Sequence, residues 1–264
     1  MRRVNASKAL HGVRFAFGTL TVFPARITRW DRSAARAGMT LAPLAGLAVG
    51  LCAAAAGAGL WALGAGALLA GVVSTAAPAV LTRGLHLDGL ADVADGLGSA
   101  KPAEDALRIM KQSDIGPFGV ITLLFCLLAQ IAALAHLYER DGWARGAVGA
   151  VVAAAVARTA LTLASRRGVP AARPDGLGAV VAGTVPGRRA LVTAALVTAA
   201  CAAAGWPFGP WSALHFALAA AAGLAAAEGL LGRCVRRFGG VTGDVFGAVA
   251  EASATVTLVA LTLG

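Results

Sequence analysis

Three long stretches of this 264-residue chain contain no charged side chain. They comprise residues 37–82, 115–138 and 190–227. A helix needs about 20 consecutive apolar residues to cross a bilayer, so the first and third stretches are each long enough for two crossings and the second for one. Residues 146–165 and 245–264 are also of spanning length, with one charge each, Arg158 and Glu251. An ordinary soluble domain does not contain so much uncharged sequence.

The sequence therefore predicts an all-α, polytopic helix bundle that forms a single integral membrane domain over residues 1–264. About seven membrane-spanning helices are expected, at residues 41–60, 64–82, 118–138, 146–165, 190–206, 212–231 and 246–264. Frequent Ala and Gly among Leu and Val suits close helix packing, and the pattern lacks the alternation of a membrane β-barrel. Residues 8–23 include Lys8, His11 and Arg14, and we interpret them as an N-terminal amphipathic segment at the membrane surface.

The distribution of the 23 lysines and arginines predicts how the chain is oriented. With seven spans, the basic regions fall on one side of the membrane: the tail before residue 37 and the loops 83–117, 166–189 and 232–244. Because the cytoplasmic side of a membrane protein carries the positive excess, the N-terminus and these loops are expected in the cytoplasm. The net charge of +10 is then explained by a lipid bilayer as partner, without nucleic acid.

The stretch GLHLDGLADVADGLGS, residues 84–99, concentrates negative charge in this basic chain. Asp88, Asp92 and Asp95 are spaced i, i+4, i+7, and at about 100° per residue they fall within roughly 60° of a helix circumference. Like charges at these spacings repel one another, so a cation is expected beside them. Mg²⁺ prefers oxygen ligands and is often held by one or two carboxylates plus substrate phosphate. We therefore expect loop 83–117 to carry the active site, with the three aspartates as catalytic and metal-binding residues.

Other polar residues on the same side are candidates to complete the site. Lys111 is a candidate catalytic residue because it can bind a phosphate as a point charge, and anchoring at the positively charged side of the membrane is the alternative interpretation. Asp244, just before the last span, is a fourth candidate metal ligand, and helix N-capping is the alternative interpretation. Glu228 is expected to reach Arg233. The candidate substrate-binding residues are His86, Arg83, Arg158, Arg173, Asp175 and Ser113.

Two of these candidates have alternative interpretations. His86 points away from the acids if its segment is helical, so a capping or supporting role is as consistent with the sequence as a catalytic one. Arg158 is also a candidate partner for Glu251, because a charge within a span is costly when unpaired.

At this point the chain resembles a known family. LTRGLHLDGLADVADGLGS is similar to the signature of the cobalamin synthases, also called adenosylcobinamide-GDP ribazoletransferases. The resemblance continues in order through ALRIMKQSDIGPFGV, ARPDGLG and GGVTGDVFGA. The second motif departs from the family's commoner form, Lys-Asp-Ser-Arg-Ile-Gly, because Gln112 replaces the Asp and Asp114 replaces the Arg.

The resemblance implies a multi-pass enzyme of the bacterial inner membrane that uses Mg²⁺. It implies that adenosylcobinamide-GDP is joined to α-ribazole or α-ribazole 5′-phosphate, giving adenosylcobalamin or its 5′-phosphate plus GMP. In this phosphoryl transfer the metal held by the aspartates faces the diphosphate, while Lys111 or a loop arginine neutralises other phosphate oxygens. The sequence leaves open which ribazole form is preferred and whether the protein is a homo-oligomer.

Two other classes of membrane protein also use spaced acids. Prenyltransferases of the UbiA type and CDP-alcohol phosphotransferases bind diphosphates through aspartate motifs, but the latter motif requires an Arg that is missing after Asp88. A transporter would carry its acids near the middle of the bilayer, whereas these acids lie in a loop or at span ends.

Overall fold

The computed structural model describes the backbone of residues 2–140 and 142–263 and the side chains of residues 9–140 and 142–263. Over these ranges the chain is helical, without a β-strand, which confirms the predicted all-α membrane bundle. The helices are α1 (Arg2–Leu20), α2 (Arg32–Ala62), α3 (Gly66–Leu81), α4 (Leu85–Gly98), α5 (Ala103–Ile109), α6 (Pro117–Arg140), α7 (Gly142–Ala164), α8 (Gly176–Val181), α9 (Gly187–Gly205), α10 (Pro210–Phe238) and α11 (Gly243–Leu261), with a 3₁₀ turn at Trp206–Phe208.

Six of the helices are long and apolar enough to cross a membrane by themselves, namely α2, α6, α7, α9, α10 and α11. The remaining predicted span, 64–82, corresponds to α3, whose 16 residues extend about 24 Å. Helix α3 reaches spanning length only when α4 is added, and the two helices are bent by 89°. We treat α3 as the short seventh span and α4 as a helix outside the spans. The chain is thus a multi-pass membrane protein.

Helix α7 occupies the centre of the bundle, and the sequence permits very close contacts around it. Gly46 and Gly50 of α2 face α7, and a methyl group on Gly46 would lie 2.4 Å from the carbonyl oxygen of Ala154. Small residues of this kind let membrane helices approach closely and gain van der Waals contacts. This pair of glycines therefore serves packing within one chain.

Helix α1 is held more firmly than a free amphipathic segment would be. Phe15 is fully buried. A methyl group on Gly12 would lie 2.7 Å from the side chain of Ala37, and one on Gly38 would lie 2.5 Å from the Phe15 ring. The predicted surface segment is therefore packed against the first turns of α2.

One end of the bundle is marked by aromatic side chains. Arg145 lies over the rings of Phe208 and Phe216, which shows that the start of α7 and the turn between α9 and α10 share this end. Four exposed tryptophans lie at this end: Trp61, Trp143, Trp206 and Trp211. Tryptophan side chains are enriched at membrane–water interfaces.

The basic regions meet at the opposite end, as the seven-span arrangement predicts. Arg32 at the start of α2 donates hydrogen bonds to the carbonyl groups of Ala179 and Ala182, which ties the first basic region to the linker between α7 and α9. An isolated bridge joins Ala171 of that linker to Val241, before α11.

The same linker is attached to α10 by a bidentate ion pair. Arg166 contacts the two carboxylate oxygens of Glu228 at 2.6 and 2.8 Å. The expectation that Glu228 would reach Arg233 was therefore wrong. Proximity in sequence suggested Arg233, but the end of α7 brings a better-aligned guanidinium to the carboxylate.

A pair of glycine substitutions tests the packing of α2 on α7. We expect Gly46→Ala to destabilise the protein by about 1–3 kcal/mol, because the added methyl group forces two helix backbones apart. Gly59→Ala in the same helix is the control, because its added methyl group meets nothing within 4 Å. It should be neutral or stabilising by up to about 1 kcal/mol. Thermal unfolding of the detergent-solubilised variants provides the measurement, and equal unfolding midpoints would contradict the assigned contact.

Candidate active site

The site begins at the sharp bend between α3 and α4. Arg83 and Gly84 both have left-handed backbone conformations, with φ of 57° and 69°. The amide of Gly84 donates to the carbonyl of Ala79 at 2.7 Å, which ends α3 before α4 starts in a new direction. A non-glycine residue in this conformation costs of order 1–3 kcal/mol, and such strain concentrates at functional sites.

Helix α4 crosses α11 at a pair of glycines, and this crossing sets the geometry of the site. A methyl group on Gly89 would lie 2.6 Å from the carbonyl oxygen of Asp244, and one on Gly247 would lie 2.9 Å from the carbonyl oxygen of His86. The two backbones therefore touch at a distance that only glycine allows. As a result, Asp244 in the first turn of α11 lies against the helix that carries Asp88 and Asp92.

Asp88, Asp92 and Asp244 form a negatively charged group in which Asp92 and Asp244 are half-buried and Asp88 is exposed. Burial, followed by the charges of Asp244, Asp88 and Asp95, raises the pKa of Asp92 to about 7, and Arg173 opposes the shift. Arg173 lies 3.8 Å from a carboxylate oxygen of Asp244 and donates to the carbonyl of Leu107. Arg173 thus opposes the charges of Asp92 and Asp244, and one guanidinium between two carboxylates leaves negative charge that a cation would balance.

The alternative reading of Asp244 as a helix cap does not describe its side chain. Thr242 caps α11, because its hydroxyl oxygen accepts the amide of Val245 at 3.3 Å. The same hydroxyl donates to Asp244 at 3.1 Å and orients that carboxylate.

The residues present fit Mg²⁺ as an ion shared with a substrate. Asp88, Asp92 and Asp244 offer the oxygen ligands that this ion prefers. Among the described residues, no group of three or more His, Cys, Asp or Glu side chains is close enough to hold an ion unaided. Mg²⁺ commonly takes only one or two carboxylates and completes its coordination with water and phosphate oxygens.

A cavity of about 780 Å³ opens beside the acids. One wall is α4, with Asp88 and Asp92, and the opposite wall is the segment between α5 and α6, with Lys111 and Ser113. Arg83 lines the same cavity at the bend. Its volume lies in the upper part of the range for ligand sites, roughly 300–1,000 Å³. The structure thus brings five of the eleven candidate residues predicted from sequence into one cavity.

Asp175, another candidate substrate-binding residue, lies at the margin of this site. Lys111 is 3.5 Å from the carboxylate of Asp175, an exposed pair that joins the α5–α6 segment to the start of α8. Gln112 and Asp114, the two positions that depart from the commoner family motif, also line the cavity.

Asp88, Asp92 and Asp95 form an acid stripe along α4, and Asp95 lies in a different environment from the other two. It is buried, and its two carboxylate oxygens accept the amides of Gly116 and Gly119 at 2.8 and 2.9 Å. These amides belong to the first turn of α6, which has no other partner for them. The acid stripe covers about 60° of the helix circumference, which is wide enough for its members to have different surroundings. Asp88 and Asp92 line the cavity, whereas Asp95 joins α4 to the start of α6.

His86 of α4 and Arg158 of α7 lie on the side of α4 that faces away from the cavity, and neither lines it. Both are buried, and Arg158 donates from Nη2 to Nδ1 of His86 at 3.3 Å. Burial, together with the charge of Arg158, holds the pKa of His86 well below its usual range, so the neutral ring can accept this bond. This contact joins α4 to α7, and substrate binding by these two residues stays a prediction.

A further polar contact was missed from sequence. Gln130 donates to Glu251 at 2.9 Å and to Thr255 at 3.0 Å, linking α6 to α11 inside the bundle. Its signal was an amide within the uncharged stretch 115–138, where a polar side chain needs a partner.

Comparisons with known proteins identify the family of this chain. A family model described as Cobalamin-5-phosphate synthase matches residues 12–262. The chain belongs to this family. Its members are transferases of cobalamin synthesis.

Curated relatives of the same family match along nearly the whole chain. A protein named adenosylcobinamide-GDP ribazoletransferase from Frankia casuarinae is 43% identical over 266 residues, covering 95% of this chain and 94% of the relative. Proteins of the same name from a Nocardioides species and from Corynebacterium efficiens are 41% and 36% identical, covering 94% of this chain and 96% and 90% of their own lengths. No solved structure matches the chain.

The different surroundings of Asp88 and Asp95 predict different effects of their substitution on stability. Asp95→Ala should lower the free energy of unfolding by about 1–3 kcal/mol, because two amides at the start of α6 lose their acceptor. Asp88→Ala should change it by less than about 0.5 kcal/mol, because that side chain is exposed. Thermal unfolding of both variants in detergent tests this. Equal destabilisation by the two substitutions would contradict the capping role of Asp95.

Proposed function

We propose that this protein joins adenosylcobinamide-GDP to α-ribazole or its 5′-phosphate, releasing GMP, at the cytoplasmic face of the bacterial inner membrane. The observation that carries the proposal is the convergence of Asp88, Asp92 and Asp244 beside a 780 Å³ cavity that also holds a lysine and an arginine. Membership of the cobalamin-5-phosphate synthase family supports the choice of substrates.

Asp88, Asp92 and Asp244 are the residues that we propose to hold Mg²⁺ against the substrate diphosphate. When bound there, the ion would neutralise charge on the phosphate oxygens. Asp95, whose two oxygens already accept backbone amides, is proposed as the residue that fixes α4 to α6. This assigns the metal to the part of α4 from Asp88 to Asp92 and the first turn of α11, which the Gly89–Gly247 crossing holds together.

The chain's own residues would promote phosphoryl transfer mainly by positioning and charge, as in other enzymes of this reaction class. A ribose hydroxyl forms a bond to the phosphorus attached to cobinamide, and the bond from that phosphorus to the GMP oxygen breaks. Lys111 and Arg83, which line the cavity, are placed to neutralise the negative charge that grows on GMP. The proton of the hydroxyl passes to a carboxylate that faces the cavity, Asp88 or Asp92.

Substitution of the three carboxylates tests the proposal. GMP release by membranes that carry Asp88→Asn, Asp92→Asn or Asp244→Asn should fall by roughly 10²–10³-fold, because each change removes a charge that organises the diphosphate. Asp105→Asn is the matched control. Asp105 pairs with Arg108 on exposed α5 and does not line the cavity, so its variant should retain normal turnover.

Protein levels must be equal in these membranes, and unfolding midpoints separate lost chemistry from lost folding. Near-normal GMP release by all three asparagine variants would refute the proposed role of the cluster. If the protein produced an isoprenoid or CDP-alcohol derivative, another transferase activity would take the place of the one proposed.

The proposed orientation has a direct test. With an odd number of spans and the basic end in the cytoplasm, the two termini lie on opposite sides of the membrane. A green fluorescent protein fused to the N-terminus should fluoresce, and alkaline phosphatase fused to the C-terminus should be active, since each reporter works on one side only. An inactive C-terminal phosphatase with a fluorescent protein at both ends would contradict seven spans.

A further inference from the structure

A second polar cavity lies at the same end of the bundle, between α1, α2 and α9. Its volume is about 360 Å³. Arg29, Arg36 and Arg189 line it, together with Ser33 and His11. None of the described residues that line it is acidic. We refer to it as the basic cavity, and none of its residues belongs to the proposed active site.

The arginines of the basic cavity are only partly neutralised. Arg29 pairs with Asp31 at 2.8 Å, and that carboxylate also accepts the amides at the start of α2. Arg36 uses Nε to donate to the carbonyl of Thr184 at 3.1 Å, a contact that does not involve its two terminal nitrogens. The side chain of Arg189 has neither a hydrogen bond nor an ion pair within the described part of the chain, whereas its backbone amide donates to the carbonyl of Pro186 at 2.9 Å. Asp31 therefore neutralises one of the three guanidinium groups that line the cavity, and an anion would relieve the positive charge that remains.

Two independent features place this cavity at the depth of lipid headgroups. Arg36 is the last charge before the uncharged stretch 37–82, and Arg189 is the last charge before 190–227. Both guanidinium groups therefore stand where the hydrocarbon begins. Trp30, next to Arg29 in the chain, is exposed and lies 5.2 Å from the ring of Phe15, as is common for a side chain at the membrane boundary.

We infer that the basic cavity binds a phosphate group, for which guanidinium groups are well suited because they can offer paired donors. The depth of the cavity favours the phosphate of an anionic phospholipid in the adjoining leaflet over a free phosphate-bearing solute. Arg36 also holds Thr184, and Arg32 holds Ala182, in the linker that carries Arg173. A bound phosphate would thus brace α1, α2 and α9 beside a segment that reaches the active site.

Lipid binding to purified full-length protein tests this inference. Phosphatidylglycerol, phosphatidylcholine or inorganic phosphate is added to wild-type protein in a neutral detergent. Native mass spectrometry measures the bound lipid, and thermal unfolding measures the stability. We expect phosphatidylglycerol to be retained in preference to phosphatidylcholine and to raise the unfolding midpoint by several degrees.

The matched variants are Arg189→Gln and Arg188→Gln. Both residues are exposed on the first turn of α9, but only Arg189 lines the cavity. Arg189→Gln should lose at least half of the midpoint shift caused by phosphatidylglycerol, and Arg188→Gln should keep it. Because the side chain of Arg189 has no partner among the described residues, its substitution leaves the protein folded. Arg36→Gln also removes a bond to Thr184 and serves as a second variant.

Each outcome of this experiment decides the inference. A shift with phosphatidylglycerol that depends on Arg189 and is absent with inorganic phosphate assigns the site to a lipid. A shift with inorganic phosphate that also depends on Arg189 assigns the site to a soluble phosphate. Equal shifts for wild type, Arg189→Gln and Arg36→Gln, or equal retention of the two lipids, would overturn the inference.

Discussion

The close crossing of α4 and α11 is the contact on which the site depends. Gly89 and Gly247 allow two helix backbones to touch, and this contact brings Asp244 to the helix that carries Asp88 and Asp92. Without it, the carboxylates would be a stripe on one helix and a lone acid at the start of another. With it, the half-buried Asp92 and Asp244 lie beside Asp88, and Arg173 opposes the charges of the two half-buried acids. The cation site that we propose therefore depends on how two helices pack.

Helix α4 is supported from two further directions. On one side, Asp95 accepts amides from the first turn of α6, and on the other, His86 accepts a hydrogen bond from Arg158 of α7. Each support satisfies polar groups that would be costly to leave unpaired inside the bundle. A catalytic constellation works best when its side chains stand on a helix that cannot shift. The residues of α4 that face away from the cavity therefore contribute to the site by holding the ones that face it.

Much of this arrangement could be predicted from the sequence. Uncharged stretches located the spans, and the arginine distribution assigned the basic loops to one end, because both patterns follow from the bilayer and depend little on tertiary packing. The spacing of the aspartates correctly predicted a helix with its acids along one side. The sequence could not assign a separate partner to each acid, because Asp95 and Asp92 differ by less than one turn. It also could not show that Arg158 contacts His86, 72 residues away, since that contact exists only after α4 packs on α7.

The most direct test of the account is whether catalysis by the purified protein requires a divalent cation. The protein is treated with a chelator, supplied with adenosylcobinamide-GDP and α-ribazole, and assayed for GMP before and after Mg²⁺ is restored. The account predicts that GMP release is lost on chelation and recovers with Mg²⁺, because the carboxylates of α4 and α11 would otherwise repel the diphosphate. Undiminished GMP release in the chelated protein would contradict a metal-dependent carboxylate site.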